Sequence, residues 1–167
     1  SNLTGTLPDG LEQFSSLQYF DVTNNQMSGQ IPDGIFSIPQ LLHLGLARND
    51  FTGTIPPSIG NATWVGSLYL QKNKFDGPLP DEIGNLVDLW SLQLFECGLA
   101  GATIPPSWGN LQNLSEVWMF SNGLVGVIPE EWTNMEYLTD LRLQGNNLVG
   151  PFPQNLPPNL FRLELAQ

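Results

Sequence analysis

Residues 41–61 read Leu41-Leu42-His43-Leu44-Gly45-Leu46-Ala47-Arg48-Asn49-Asp50-Phe51-Thr52-Gly53-Thr54-Ile55-Pro56-Pro57-Ser58-Ile59-Gly60-Asn61, and this one stretch carries two recurring patterns. The first is Leu-x-x-Leu-x-Leu-x-x-Asn over Leu41, Leu44, Leu46 and Asn49. Side chains two apart share one face of a strand, so Leu44 and Leu46 face the same way. The second is Gly-x-(Ile/Leu/Phe)-Pro, which ends at Pro8, Pro32, Pro56, Pro80, Pro105, Pro129 and Pro153. Five of its steps are 24 residues, and one is 25 because Gly101-Ala102-Thr103-Ile104-Pro105 carries an added residue. The leucine block returns nine residues after each of the first six prolines, as in Leu138, Leu141, Leu143 and Asn146. A fixed period in the twenties means a solenoid.

One short strand and one turn cannot bury an aliphatic face alone. Successive copies must therefore stack, and equal spacing makes the stacked strands parallel and in register. Fully burying a Leu or Ile contributes roughly 1.5–3 kcal/mol, which offsets the ordering cost only when neighbouring copies cover both sides. The asparagine closing each block has a separate task. Asn25, Asn49, Asn73, Asn122 and Asn146 sit where the chain leaves the strand. Buried turns leave backbone groups in need of partners, and a carboxamide offers donors and an acceptor together. Stacked asparagines can form a ladder that satisfies the turns.

The full unit over residues 41–61 resembles the plant-type leucine-rich repeat of receptor-kinase ectodomains and polygalacturonase-inhibiting proteins, and the resemblance runs through the chain. It implies an α/β solenoid: a right-handed superhelix with a concave parallel β-sheet, short convex second strands, and 3-10 or helical turns. The expected organisation is one solenoid segment over residues 1–167, about seven repeats of 24 residues, cut within a repeat at both ends. The last unit, Pro153 to Leu160, is two residues shorter between proline and strand, closer to the Leu-Pro-x-x-Leu units of bacterial and protist repeat proteins.

Trp108 and Trp132 take the place held by Ile35, Ile59 and Ile83, which assigns them to the core. Cys97, the only cysteine, stands at the ladder position of its unit. A lone thiol forms no internal disulfide, and such a residue behaves as a small buried hydrophobe.

Charge divides the solenoid. Against 16 acidic residues stand 5 basic ones, a net charge of −11, so the chain repels phosphate backbones and nucleic acid is excluded as a partner. Asp9, Glu12, Asp33, Asp81, Glu82, Asp88, Glu130, Glu131 and Glu136 fall in the segments after the prolines, where no Lys or Arg occurs. Arg48, Lys72, Lys74, Arg142 and Arg162 lie in or beside the strand blocks. The convex side reads as an acidic, solvated back, and the concave side carries mixed charge, the one histidine and a set of aromatics.

Those aromatics give the functional expectation. Tyr69, Phe95, Trp118 and Phe120 occupy outward strand positions in three successive units, and parallel strands lie about 4.8 Å apart, so the four are expected to form one patch. Exposed apolar clusters mark interaction surfaces, and Trp and Tyr are enriched among binding hot spots. The expected ligand-binding set is Tyr69, Gln93, Phe95, Trp118, Phe120 and Arg142. Register predicts ion pairs of Asp140 with Arg162, Arg142 with Glu164, Asp50 with Lys74 and Lys72 with Glu96. If left free instead, Arg142 and Arg162 would receive a ligand carboxylate, as basic concave residues do in some peptide-sensing relatives.

Catalysis finds little support. Glu116 and Asp140 are expected as adjacent carboxylates, the pair used by glycosidases, but an open sheet has no walls to exclude water. His43 has no evident nucleophile beside it, and the sequence holds no metal-ligand or phosphate-loop motif that would imply a metal or cofactor. Asn2-Leu3-Thr4, Asn61-Ala62-Thr63 and Asn113-Leu114-Ser115 have the form of N-glycosylation acceptors. The sequence reads as a non-catalytic extracellular recognition module that binds a protein, peptide or glycan on its concave face. The rival is a structural or adhesive surface repeat protein, a rigid spacer or a self-associating coat, with any membrane contact through regions outside this stretch.

Overall fold

The computed structural model describes residues 2–151 and 154–166. Ser1, Phe152, Gln167 and the last proline of the series, Pro153, lie outside the described residues.

Eleven strands occur among the described residues: β1 (Thr4–Gly5), β2 (Tyr19–Asp21), β3 (Gln26–Gly29), β4 (His43–Gly45), β5 (Asp50–Gly53), β6 (Ser67–Tyr69), β7 (Lys74–Phe75), β8 (Ser91–Gln93), β9 (Glu116–Trp118), β10 (Asp140–Arg142) and β11 (Arg162–Glu164). The leucine blocks give β2, β4, β6, β8, β9, β10 and β11, which lie side by side in chain order as one parallel sheet. Its register is uninterrupted. Phe20, Leu44, Leu68, Leu92, Val117, Leu141 and Leu163 form one inward row. The residues leading up to the glycine of each Gly-x-(Ile/Leu/Phe)-Pro motif, not the motif's own Ile-Pro, build a second parallel sheet in the order β1-β3-β5-β7. This sheet stops at β7, and the next contact of its kind is the isolated bridge between Thr103 and Val125. The added residue at 101–104 falls in that gap.

Each proline from Pro32 to Pro129 holds extended backbone, φ between −62° and −75°, directly before a five-residue 3-10 helix, for example Pro57–Asn61 and Pro106–Asn110. Proline pre-sets that φ and has no N–H to leave unpaired at a helix start. The helices stack on the convex side and bury Ile35, Ile59, Ile83, Trp108 and Trp132. Trp108 is fully enclosed, and its indole N–H donates to the Pro80 carbonyl at 3.0 Å. Both tryptophans are core residues, as their place in the repeat predicts.

Between strand and second sheet the backbone turns through the left-handed region at Asn24, Arg48, Lys72, Glu96 and Ser121, φ 53–60°. The residue after each of these is the ladder position. Asn73 shows the full pattern: Nδ2 donates to the carbonyls of Leu46 and Leu70, at 3.0 and 2.8 Å, and Oδ1 accepts the Phe51 amide at 3.1 Å. Asn49, Asn122 and Asn146 repeat the bridging between coils, while Asn25, half-exposed at the first turn, accepts the Leu3 amide and donates only to Val22 and Thr23 of its own coil. Cys97 keeps the place without the chemistry. Its thiol reaches the Leu70 carbonyl at 3.4 Å, and burial pushes its pKa up to about 12. Among the described residues no helix is long and apolar enough to cross a membrane.

Candidate functional site

Outward residues of the concave sheet fall into rows. One runs Tyr19, His43, Ser67, Ser91, Glu116, Asp140, Arg162, and a second Asp21, Gly45, Tyr69, Gln93, Trp118, Arg142, Glu164. A third lies just past the strands. The amides of Lys72, Glu96 and Ser121 donate to the carbonyls of Phe95, Phe120 and Gln144, which orders it Gln71, Phe95, Phe120, Gln144. All six residues expected at a binding site stand on this face.

The aromatics divide into two groups instead of one patch. Tyr69 turns toward the earlier units and meets the edge of His43 at 5.2 Å, and His43 stacks under Tyr19 at 4.1 Å. Phe95, Trp118 and Phe120 form the other group. Phe95 stacks on Phe120 at 4.3 Å and tilts against Trp118 at 6.4 Å. Gln71 and Gln93 lie between the groups and bond to each other, Nε2 to Oε1, at 3.0 Å. Tyr69 is separated from Phe95 because His43, one strand earlier, offers its ring edge.

Cations close over the second group. The Arg142 guanidinium lies 4.1 Å from the Trp118 ring and the Lys72 ammonium 5.9 Å from the Phe95 ring. Cation–π contacts of this kind contribute roughly 0.5–2 kcal/mol. Arg142 is also locked in its own strand: Nε and Nη2 donate to Asp140 at 2.9 and 2.7 Å, and this hydrogen bonding raises its pKa above the ordinary arginine value. Two of the expected ion pairs form, Lys72 with Glu96 at 3.2 Å and Lys74 with Asp50 at 2.7 Å. The other two do not. Asp140 and Arg162, like Arg142 and Glu164, are neighbours in register, yet Arg142 pairs with Asp140 and Arg162 with Glu164, each along its strand. Gln144 takes the Glu164 carboxylate at 2.9 Å, and the Trp118 plane holds Arg142 toward Asp140. Arg142 is therefore spoken for by a carboxylate of this chain.

His43 does have a hydroxyl beside it, contrary to the sequence expectation: Ser67 Oγ is 2.6 Å from Nδ1, and Asp21 lies 3.7 Å from Nε2. Burial lowers the His43 pKa below the ordinary histidine value, more than Asp21 raises it. Burial also acts on Asp21, raising its pKa, but hydrogen bonding from Thr23 and the nearness of His43 leave its carboxyl below the usual range. The three side chains resemble a charge relay in order only. Acyl transfer needs donors aimed at an oxyanion, and the amides around Ser67 are committed to the sheet, with Gly66 and Ser67 both donating to the Leu42 carbonyl. The cluster is a packed polar contact.

Sequence reasoning missed a lateral strip. Leu42, Trp64 and Trp90 are large, exposed side chains at the edge where the chain enters the concave strands, and the Trp90 indole lies across Gly66, where an added Cβ would come within 2.8 Å of it. The signal was present: all three flank the first apolar residue of a block, a position that faces outward. The acceptor asparagines Asn2, Asn61 and Asn113 are exposed.

Comparison with known proteins agrees with this architecture. The Leucine Rich Repeat family model matches residues 16–38, 40–62 and 66–86. A search of the curated proteins finds no match. Among solved structures, the plant peptide hormone receptor RGFR1, in complex with RGF2, is 36% identical with a TM-score of 0.91 over 99% of this chain and 27% of that one. The ectodomain of the membrane receptor kinase GASSHO1/SCHENGEN3 from Arabidopsis thaliana, in complex with CASPARIAN STRIP INTEGRITY FACTOR 2, is 32% identical with a TM-score of 0.91, over 98% of this chain and 20% of that one. A leucine-rich-repeat protein of Leptospira interrogans is 28% identical with a TM-score of 0.79, over 97% of this chain and 40% of its own. The chain thus spans between a fifth and two fifths of these proteins.

Proposed function

Because this chain is a leucine-rich-repeat solenoid similar from end to end to plant receptor ectodomains, we propose that it is a non-catalytic, extracellular recognition module whose concave face binds a peptide or protein segment. The observation that supports this reading best is the Phe95–Trp118–Phe120 shelf, where a buried Phe95, half-buried Trp118 and Phe120 and a stacked guanidinium stand together on the concave sheet. Aromatic and arginine side chains dominate binding energy where they can be desolvated together. The parallel sheet and asparagine ladder fix those side chains before a ligand arrives, which lowers the ordering cost of association. One similar structure is a peptide hormone receptor in complex with RGF2, and another is a receptor kinase ectodomain in complex with CASPARIAN STRIP INTEGRITY FACTOR 2, which favours a peptide over a glycan here.

Substitution of Trp118 tests the proposal. A peptide selected from a displayed random library on the wild-type chain should bind Trp118→Ala at least about 30-fold more weakly, the scale of a hot-spot truncation near 2 kcal/mol. The melting temperature should fall only by the few degrees that the Arg142 and Phe95 contacts are worth, at roughly 2–4 °C per kcal/mol, and the chain should stay folded at the assay temperature. Selected peptides that bind Trp118→Ala and the parent alike would refute the concave reading and leave the chain as a rigid spacer.

A further inference from the structure

The concave shelf has more hydrogen-bond acceptors than donors left over. Gln71 and Gln144 flank Phe95 and Phe120 in the third row, and the Oε1 atoms of both lack partners, although each Nε2 is used, by Gln93 at 3.0 Å and by Glu164 at 2.9 Å. A carboxylate accepts only, so Glu164 fixes the way the Gln144 amide faces. Gln71 is nine-tenths buried, which makes an unmet acceptor there costly. Against these stands one unmet donor at the shelf, Trp118 Nε1.

The carboxylates lean the same way. Beside the shelf, Glu96 is paired with Lys72, Asp140 with Arg142 and Glu164 with Arg162. Glu116, on the same strand and face as Trp118, accepts only the Ser91 hydroxyl at 3.0 Å and has no cation within 4.0 Å among the described residues. The chain as a whole carries −11, and a field of that sign draws in cations.

Resting on the recognition reading above, we infer that the ligand is a cationic, donor-rich peptide segment. It sets a Lys or Arg side chain against Glu116 and an apolar side chain on Phe95 and Phe120, and its main-chain N–H groups meet Gln71 and Gln144 once those covered amide oxygens turn outward. The span fits. Gln71 and Gln144 are three strand spacings apart, about 14 Å, which four or five extended residues cover. A ligand carboxylate finds no place here, because Arg142 is bound through two nitrogens to Asp140 and stacked on Trp118, with Glu116 and Glu164 close enough to act on its charge.

A displayed random heptapeptide library, selected on the wild-type chain and re-measured as synthetic peptides, tests this. Glu116→Gln keeps an acceptor for Ser91 and removes the charge. Glu130→Gln with Glu131→Gln removes two charges from the convex face. The expected result is a set of peptides with net positive charge whose affinity falls roughly tenfold in Glu116→Gln, falls again as salt shortens the screening length, and changes little in the convex double variant. Peptides that need Trp118 but are neutral or acidic, or that ignore Glu116→Gln, overturn the cationic assignment and leave the recognition reading standing. Equal losses in the concave and convex charge variants overturn it too, since bulk charge then suffices. If no selected peptide depends on Trp118, both readings fall.

Discussion

Replacing Asn73 by Ala tests the element that holds the concave face in shape. The side chain is buried and makes three hydrogen bonds, from Nδ2 to the Leu46 and Leu70 carbonyls and from the Phe51 amide to Oδ1, all between 2.8 and 3.1 Å. They tie two consecutive coils, since Leu46 and Phe51 belong to one and Leu70 and Asn73 to the next. A net hydrogen bond contributes about 0.5–1.5 kcal/mol, and a buried group left without a partner costs more. Three together come to about 3 kcal/mol, with no compensating apolar gain because Ala fills less space. For a chain of this size each kcal/mol moves the melting temperature by roughly 2–4 °C, so the expected drop is about 6–12 °C.

Asn25→Ala is the internal control. Asn25 also accepts an amide from the preceding coil, but it donates only to Val22 and Thr23 of its own coil, it is half-exposed, and its bond from the Leu3 amide is exposed. Water can replace those bonds, so the expected cost is about 1 kcal/mol or less. Thermal unfolding followed by circular dichroism, with peptide affinity measured in parallel, reads both variants. The reasoning fails if the two substitutions lower the melting temperature equally, or if Asn73→Ala leaves it unchanged. It also fails if Asn73→Ala abolishes binding at temperatures where the chain is fully folded.

Three further outcomes follow from the same structure. Cys97→Asn should raise the melting temperature by about 2–4 °C, one net hydrogen bond, because the new carboxamide can accept the Phe75 amide as Asn73 accepts that of Phe51; a loss of stability would show that the site has adapted to sulfur. The Cys97 thiol, with a pKa pushed up to about 12 by burial, stays protonated in the folded chain while the unfolded thiol ionises above 9.0. Stability should therefore fall by roughly 1.4 kcal/mol per pH unit over that interval, and Cys97→Asn should remove the slope in alkaline denaturant titrations. Because burial depresses the His43 pKa below 6.5, the unfolded chain binds the extra proton first. Stability should drop as pH falls through 6.5, and a pH-independent melting temperature in His43→Phe over that interval checks the assignment.

The period and the alternation of the leucine block contain the fold because they describe backbone geometry, and backbone geometry repeats. They set the strand positions, the parallel register of Asp140 beside Arg162, the ladder of asparagines and the burial of Trp108 and Trp132. Side-chain partners are decided by rotamers, and the repeat does not encode those. Arg142 has Asp140 two residues before it and Glu164 beside it in register, and sequence spacing treats the two as equivalent. What separates them is the Trp118 ring on one side and Gln144 occupying Glu164 on the other. Tyr69 poses the same problem: it stands on the expected face, and only the position of the His43 ring decides which aromatic group it joins.

The division of the aromatics falls at a joint where the back of the solenoid is less tightly tied. Cys97 breaks the ladder in the unit that carries Phe95, and the second sheet ends at β7, one unit before the added residue at 101–104. Behind the shelf, the second-sheet pairing is therefore missing at one joint, and the ladder keeps there only the bond from the Cys97 thiol to the Leu70 carbonyl at 3.4 Å. Across that joint the concave side supplies the continuous pairing of β6 with β8, the Gln71–Gln93 bond and the Lys72–Glu96 pair. Tyr69 and Lys72 lie on one side of it, and Phe95, Trp118 and Phe120 on the other. A break in the back of a stack lets the front adjust only where side chains bridge it, and the bridges here are polar. The three rings beyond the joint belong to two units joined by an intact ladder bond, from the Cys97 amide to Asn122 at 2.7 Å, and so form one rigid shelf, while Tyr69 is held to its own side by His43.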